Sequence, residues 1–227
     1  MKYGMKYRCV IFDCDGTLVD TLADIANAMN QALAMHGFPP LPIPQYRDMV
    51  GWGIIRLATL ALPEDARAES TIQAVAASAQ QIMVELPPER SLSRPYPGIE
   101  DLLAELSQLR RSRKIVTAVL SNKPDPVLRS LMDDLFGQRA FDAVCGLHPG
   151  IAPKPDPQAV WEILAELGFS PSDAVLMGDS EIDIETARNA GCFPLGVSWG
   201  FRTRATLETA GAARIIDTPG DLWGLLK

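Results

Sequence analysis

The stretch Tyr7-Arg8-Cys9-Val10-Ile11-Phe12-Asp13-Cys14-Asp15-Gly16-Thr17-Leu18-Val19-Asp20 decides how the chain reads. A short apolar run at 7–12 passes directly into two carboxylates, Asp13 and Asp15, spaced i, i+2 and followed by Gly16. Runs of this length, bounded by turn residues and rich in Val and Ile, read as strands buried on both faces. In open parallel α/β sheets ligands sit beyond the carboxyl ends of the strands, where both acids would fall. Gly16 lets the chain turn sharply and present backbone N–H groups to an anion. Taken alone, the stretch reads equally as an Asx turn that ends a strand.

Similar apolar runs recur at 115–120 (IVTAVL), 141–145, 174–177 (AVLM), 193–198 (FPLGVS) and 214–216. Helical spacing lies between them. Segment 98–111 puts Ile99, Leu102, Leu103, Leu106 and Leu109 on one face, 124–136 does so with Val127, Leu128, Leu131 and Leu135, and 157–167 with Val160, Ile163, Leu164 and Leu167. Strand–helix alternation predicts crossover units and a doubly wound, Rossmann-like parallel sheet of the α/β class. Residues 20–90 break the pattern, being helical throughout with no convincing strand. Segment 20–37 carries Leu22, Ile25, Ala26, Met29 and Leu33 at helical spacing, and the Ala- and Gln-rich 64–86 reads as one long helix. Proline-dense connectors occupy 38–44 and 87–97. The predicted organisation is an α/β core built from 1–19 and 91–227, with an all-α insertion at 20–90.

Composition narrows the function classes. The 227 residues carry a net charge of −7, which argues against a broad basic face for nucleic acid. Four cysteines without a CxxC pair and only two histidines argue against zinc. A disulfide framework is not expected in a chain this rich in core residues. No stretch approaches the 18 or so apolar residues of a membrane span, and the run at 7–12 is too short for a signal-peptide core. A cytoplasmic, reducing setting is the expectation.

Other strand ends carry polar residues too. The run at 115–120 leads into Ser121-Asn122-Lys123, and that at 174–177 into Gly178-Asp179-Ser180-Glu181-Ile182-Asp183. Lys154 stands between Pro153 and Pro155. Each has an ordinary alternative: Ser121 as a helix cap, Lys154 as a solvated lysine, Asp179 and Asp183 as acids favouring a helix N-terminus. Convergence on one sheet edge is what gives them chemistry. Carboxylates without His or Cys suit a hard cation such as Mg²⁺. A lysine, a hydroxyl and free amides suit phosphoryl oxygens. A remaining Asp can act as nucleophile, and a second one two residues on as general acid, then base.

With these residues in view, the chain resembles the haloacid dehalogenase superfamily on its phosphatase side. The resemblance rests on DxDGT at 13–17, Ser121-Asn122, Lys154, and GDSxxDxxxAxxAG at 178–191. It implies Asp13 as nucleophile, Asp15 as acid and base, and Mg²⁺ held by Asp13, Asp179, Asp183 and the backbone carbonyl of Asp15. It implies that Ser121, Lys154, Asn122 and the amides up to Gly16 hold or orient the phosphoryl group. It makes 20–90 an α-helical cap that selects the leaving group, with Val50-Gly51-Trp52-Gly53 facing substrate and Arg47 or Arg56 pairing a carboxylate.

Trp199-Gly200-Phe201-Arg202, Thr17–Thr21 and Tyr96-Pro97-Gly98 resemble the phosphoglycolate phosphatase branch, which points to 2-phosphoglycolate. Alternatives within the superfamily are a β-phosphoglucomutase-like phosphomutase and a sugar-phosphate phosphatase. A dehalogenase would lack the Asp15 acid, and a phosphonate hydrolase needs a cap lysine, whereas 20–90 contains none. A phosphoacceptor signalling module is disfavoured by chain length and by the DxD on the first strand. The implied partner is a small phosphate ester, with the chain a monomer or homodimer, and neither nucleic acid nor membrane is expected as a partner. Cys14 reads as a packing residue, and Arg110-Arg111-Ser112-Arg113-Lys114, where the family usually has a glycine, as a solvated helix end.

Overall fold

The computed structural model describes residues 5–111 and 115–226. Its strands are β1 (Cys9–Phe12), β2 (Val19–Asp20), β3 (Arg94–Pro95), β4 (Val116–Pro124), β5 (Ala143–Leu147), β6 (Ala174–Gly178), β7 (Phe193–Val197) and β8 (Arg214–Ile216). Its α-helices are α1 (Leu22–Met35), α2 (Ile54–Ala61), α3 (Glu69–Val84), α4 (Ile99–Arg111), α5 (Asp125–Phe136), α6 (Gln158–Leu167), α7 (Glu181–Ala190), α8 (Arg204–Ala210) and α9 (Trp223–Leu226).

Six strands form one parallel sheet in the order β5-β4-β1-β6-β7-β8, the predicted α/β architecture. The chain winds outward from β1 in both directions, so the strand order reverses beside β1 and opens a crevice at its carboxyl end. Phe12 lies opposite Val119 on β4 and Met177 on β6, which brings Asp13 to the same edge as Ser121 and Asp179.

Strand β1 is apolar throughout because both of its faces are covered. Val10 and Phe12 pack with Leu102 and Leu106 of α4, Leu128 and Met132 of α5 and Leu225 of α9. Cys9 and Ile11 pack on the other side with Val160, Ile163 and Leu164 of α6 and Ala187 of α7. Burial of each large side chain contributes about 1.5–3 kcal/mol, so truncating Phe12 to Ala would cost about 3–5 kcal/mol. Gly168, in the left-handed region at φ 77°, ends α6 as its sequence position suggests.

Between β2 and β3 the chain is helical, with a core of its own. Ile25, Met29 and Leu33 of α1 meet Leu57 of α2, Val75 and Ala79 of α3, and the fully buried Tyr46. Phe201, from the loop after β7, also inserts into this cluster. The single long helix expected over 64–86 is instead a 3-10 turn at Glu64–Ala66 followed by α3, because Arg67 and Ala68 leave the helical region. Helix α2 was not anticipated. It begins after Gly53 (φ 85°) and stops at Leu62, which the following Pro63 holds extended. The two crossings between this segment and the sheet run side by side as a two-residue antiparallel ribbon, Val19 opposite Pro95 and Asp20 opposite Arg94.

Two further differences concern the sheet. Strand β5 starts at Ala143 rather than 141, because the Asp142 carboxylate accepts from Arg110 and from the Thr117 amide. Arg110 is thereby tied to the sheet and is not a solvated helix end, while 112–114 of that basic cluster lie outside the described residues. Strand β4 runs on to Pro124, so Ser121, Asn122 and Lys123 are part of the strand, past an irregularity in its pairing with β5.

Candidate active site

The floor of the site is the row of strand ends. Asp13 leaves β1 with its amide donating to the Met177 carbonyl (2.9 Å) and its side chain buried. Lys154 Nζ donates to Asp13 Oδ1 (2.7 Å), Asp183 Oδ1 (2.6 Å) and the Leu120 carbonyl (3.2 Å), which uses all three ammonium protons. Asp183 sits in the first turn of α7 and caps it. Its Oδ2 accepts from the Ser180 amide (3.1 Å) and hydroxyl (2.6 Å), a reciprocal capping box that leaves Oδ1 facing the lysine.

Asp179 is wrapped by the loop after β7. Its Oδ2 accepts from the Phe201 amide (2.6 Å), and the Thr17 hydroxyl reaches Oδ1 (3.4 Å). Trp199 Nε1 donates to the Thr17 carbonyl (3.0 Å). A Cβ at Gly16 or Gly200 would collide with the Asp179 side chain, and Gly16 also takes φ 89°, so both positions need glycine. The Trp199-Gly200-Phe201 sequence is thus a cradle for one carboxylate.

Asp15 points elsewhere. Its Oδ1 accepts from the Thr21 hydroxyl (2.7 Å) and from Lys123 Nζ (2.8 Å). Lys123 is buried. Desolvation opposes its charge, yet Asp15 overrides that and holds the ammonium above the usual lysine range. Asn122 does not face the cavity with a free amide: Oδ1 accepts from the Lys154 amide (2.8 Å), and Nδ2 donates to the Lys154 (3.1 Å) and Gly51 (2.9 Å) carbonyls. It braces the lysine and ties it to the loop before α2. Ser121 lines the cavity, and its Oγ accepts from the Lys123 amide (3.2 Å). Cys14 is fully buried; burial and then Asp15 push its thiol far above the ordinary range, as suits a packing residue.

Asp13, Asp179 and Asp183 each offer an oxygen within 4.8 Å of the others. Burial, then the neighbouring Asp183, raise the Asp13 carboxyl well above its ordinary value in spite of Lys154. The same two causes push Asp179 up to about 7 against the Phe201 amide. Lys154 is raised as well: burial opposes its charge, but Asp13 and Asp183 prevail. Ionised together, Asp13, Asp179, Asp183 and Asp15 would outnumber the two lysines by two charges in a dry setting, which is why the Asp13 and Asp179 carboxyls are raised when no cation is bound. An all-oxygen donor set with that excess fits a hard divalent cation.

The roof is apolar. Ile25, Val50, Ile54, Leu57 and Met83 close over the floor with Gly51 and Gly53, leaving a cavity of about 50 Å³. Arg47 and Arg56 are exposed and outside this lining, so neither is placed to pair a substrate carboxylate. Arg202, read in the sequence only as part of a motif, joins floor to roof by donating to Glu181 (3.1 Å) and to the carbonyls of Arg47, Asp48 and Val50. Lys123 also went unassigned in the sequence reading; its place beside Ser121 and Asn122 was the available signal.

The chain is similar to known proteins over most of its length. The family model for haloacid dehalogenase-like hydrolases fits residues 10–197. A phosphoglycolate phosphatase of Caulobacter vibrioides is 37% identical, over 94% of this chain and 88% of its own. An N-acetylmuramic acid 6-phosphate phosphatase of Pseudomonas aeruginosa is 32% identical, over 98% and 96%. A crystal structure from Lactobacillus delbrueckii subsp. bulgaricus, described as a candidate phosphoglycolate phosphatase, superposes with a TM-score of 0.85 at 32% identity, covering 98% of this chain and 99% of that one. CbbY of Rhodobacter sphaeroides, solved in complex with phosphate, gives 0.77 at 27% identity, covering 95% and 96%. The chain belongs to the haloacid dehalogenase-like hydrolases, and within them to the phosphoric monoester hydrolases.

Proposed function

We propose that the chain is a Mg²⁺-dependent phosphomonoesterase that acts on 2-phosphoglycolate through an aspartyl-phosphate on Asp13, in a cytoplasmic setting. The observation that carries the reading is Lys154, held at 2.7 and 2.6 Å between two carboxylates of a three-carboxylate cluster at the tip of β1. A Mg²⁺ ion held by Asp13, Asp179, Asp183 and the Asp15 carbonyl would neutralise charge on the phosphoryl oxygens.

An Asp13 oxygen attacks phosphorus while the ester bond breaks, and Asp15 gives its proton to the departing alkoxide. Asp15, now a carboxylate, takes a proton from water as that water attacks the aspartyl-phosphate, which releases phosphate and restores Asp13. The Lys154 charge and the Ser121 hydroxyl steady the transferring group, and Asn122 acts through Lys154; the Gly16 amide, expected among the phosphoryl donors, donates to the Val19 carbonyl (2.9 Å) and shapes the turn instead. Residues 20–90 serve as the cap. Their apolar roof keeps bulk water from the intermediate. The 37% identity to a phosphoglycolate phosphatase supports a small leaving group.

The test is phosphate release with Mg²⁺ across 2-phosphoglycolate, N-acetylmuramic acid 6-phosphate, hexose phosphates, nucleotides and pyrophosphate. The expected outcome is a kcat/KM at least tenfold higher for 2-phosphoglycolate, and silence in EDTA. Interconversion of hexose phosphates through a bisphosphate, without net phosphate release, would instead establish a mutase.

A further inference from the structure

We propose that Lys123 is the specificity residue that binds the anionic end of the leaving group. The inference deepens the phosphoglycolate reading and rests on it. Among the described residues lining the cavity, the cations are Lys123, Lys154 and Arg202. Lys154 spends its three protons on Asp13, Asp183 and the Leu120 carbonyl beneath the phosphoryl position. Arg202 is drawn to Glu181 and to backbone carbonyls at the base of the roof. The hydrogen bond of Lys123 Nζ within the described residues goes to Asp15 Oδ1, which leaves two ammonium protons for a ligand.

Distance supports the assignment. Asp15 Oδ1 is taken by Thr21 and Lys123 (2.8 Å), so Oδ2, about 2.2 Å away, would protonate the ester oxygen from about 2.7 Å, and the ammonium is within about 7.7 Å of that oxygen. The carboxylate of 2-phosphoglycolate begins two bonds from the same oxygen, inside that radius. The remaining walls, Ile25, Val50, Ile54, Leu57 and Met83, have no polar side chain to receive it, and a carboxylate buried against them alone would be heavily penalised. Lys123 also lines a second cavity of about 150 Å³, shared with Ile25 and Met83 and reaching Ser91, Ser93 and Asp134. It therefore stands in the wall between the two cavities. Strand β4, extended to Pro124, holds the lysine there while Thr21 gives Asp15 a second donor. Asp15 then keeps a partner when Lys123 turns to the substrate.

The experiment compares two esters that share the reacting bond, 2-phosphoglycolate and 2-hydroxyethyl phosphate, in the wild type and in Lys123→Gln. Glutamine can still donate to Asp15 but carries no charge. The ratio of kcat/KM for the anionic over the neutral ester should fall about thirtyfold or more. A ratio within threefold of wild type would show that Lys123 serves Asp15 alone and would overturn the proposal. Lys123→Met is judged by the same ratio if the glutamine variant does not fold. The pair 3-phosphoglycerate and glycerol 3-phosphate judges the lysine separately: a wild type that ignores 2-phosphoglycolate yet prefers 3-phosphoglycerate, with that preference lost in Lys123→Gln, would sink the substrate assignment and keep the lysine.

Discussion

The floor and the roof of the cavity are built on opposite principles. The floor is a set of buried charges locked by short hydrogen bonds: Lys154 between Asp13 and Asp183, Asp179 under the Phe201 amide, Lys123 on Asp15. The roof is hydrocarbon at helical spacing, with two glycines and no acid or base turned inward. Charges in a dry site need exact partners, so the floor is specified residue by residue. Apolar walls need only volume and shape, so the roof can be recut while the chemistry below it stays the same.

The largest effect expected from breaking the floor is at Asp13. Asp13→Asn keeps the shape and removes the proposed nucleophile, and steady-state phosphate release should drop by about 10⁴-fold or more. Release at wild-type rate would remove Asp13 from the mechanism. Next comes Lys154→Met, which leaves Asp13 and Asp183 buried without a cation. Unfolding in urea should show a loss of about 3–5 kcal/mol, smaller with saturating MgCl₂, and an equal loss with and without the ion would contradict a divalent cation on this cluster. In the roof, Met83→Ala opens the wall shared by the two cavities. The expected change is a gain of about tenfold in kcat/KM for N-acetylmuramic acid 6-phosphate relative to 2-phosphoglycolate, with the floor untouched.

The smallest effect lies at the seam between floor and roof. Burial raises the Asp24 carboxyl, but hydrogen bonds from Ser93, the Leu92 amide and Ser91 outweigh it and hold it below the ordinary range. Its contribution is present above the unfolded value of about 3.9 and is lost as pH falls through the folded one. The stability gap between wild type and Asp24→Asn should therefore narrow from pH 6 to pH 3 in urea titrations. A gap independent of pH would mean the carboxylate charge plays no part in joining α1 to the strand that returns to the sheet.

The same contrast explains what was legible beforehand. Asp13, Asp15 and Asp179 follow strand ends, where a run of apolar residues stops at a fixed place, so the sheet could be inferred and its edge with it; Asp183 follows in the first turn of α7, and Lys154, in the loop after β5, is marked only by its flanking prolines and the motif. The six parallel strands followed from the same runs. Only its place after Ser121-Asn122 sets Lys123 apart in the sequence, and a lysine there reads as the first solvated residue of a loop until β4 is seen to continue to Pro124. Helix α2 is only eight residues long and follows Gly-Trp-Gly, too short for periodicity to stand out. Arg47 and Arg56 look like natural partners for a carboxylate, yet on a 3-10 turn and a short helix nothing in the spacing says which way they point. Asn122 sits in the right motif, but only its three hydrogen bonds reveal that it acts on Lys154 and Gly51.

Phe201 belongs by sequence to the sheet but by packing to the helices, while its amide holds Asp179. Swinging the helices away from the sheet would drag a phenyl ring into water, a cost of about 1.5–3 kcal/mol, which by itself favours the shut form by about ten- to a hundredfold. In any such swing one aromatic side chain would act as a door spring, drawing the chamber shut and passing a tug to the loop that cradles Asp179.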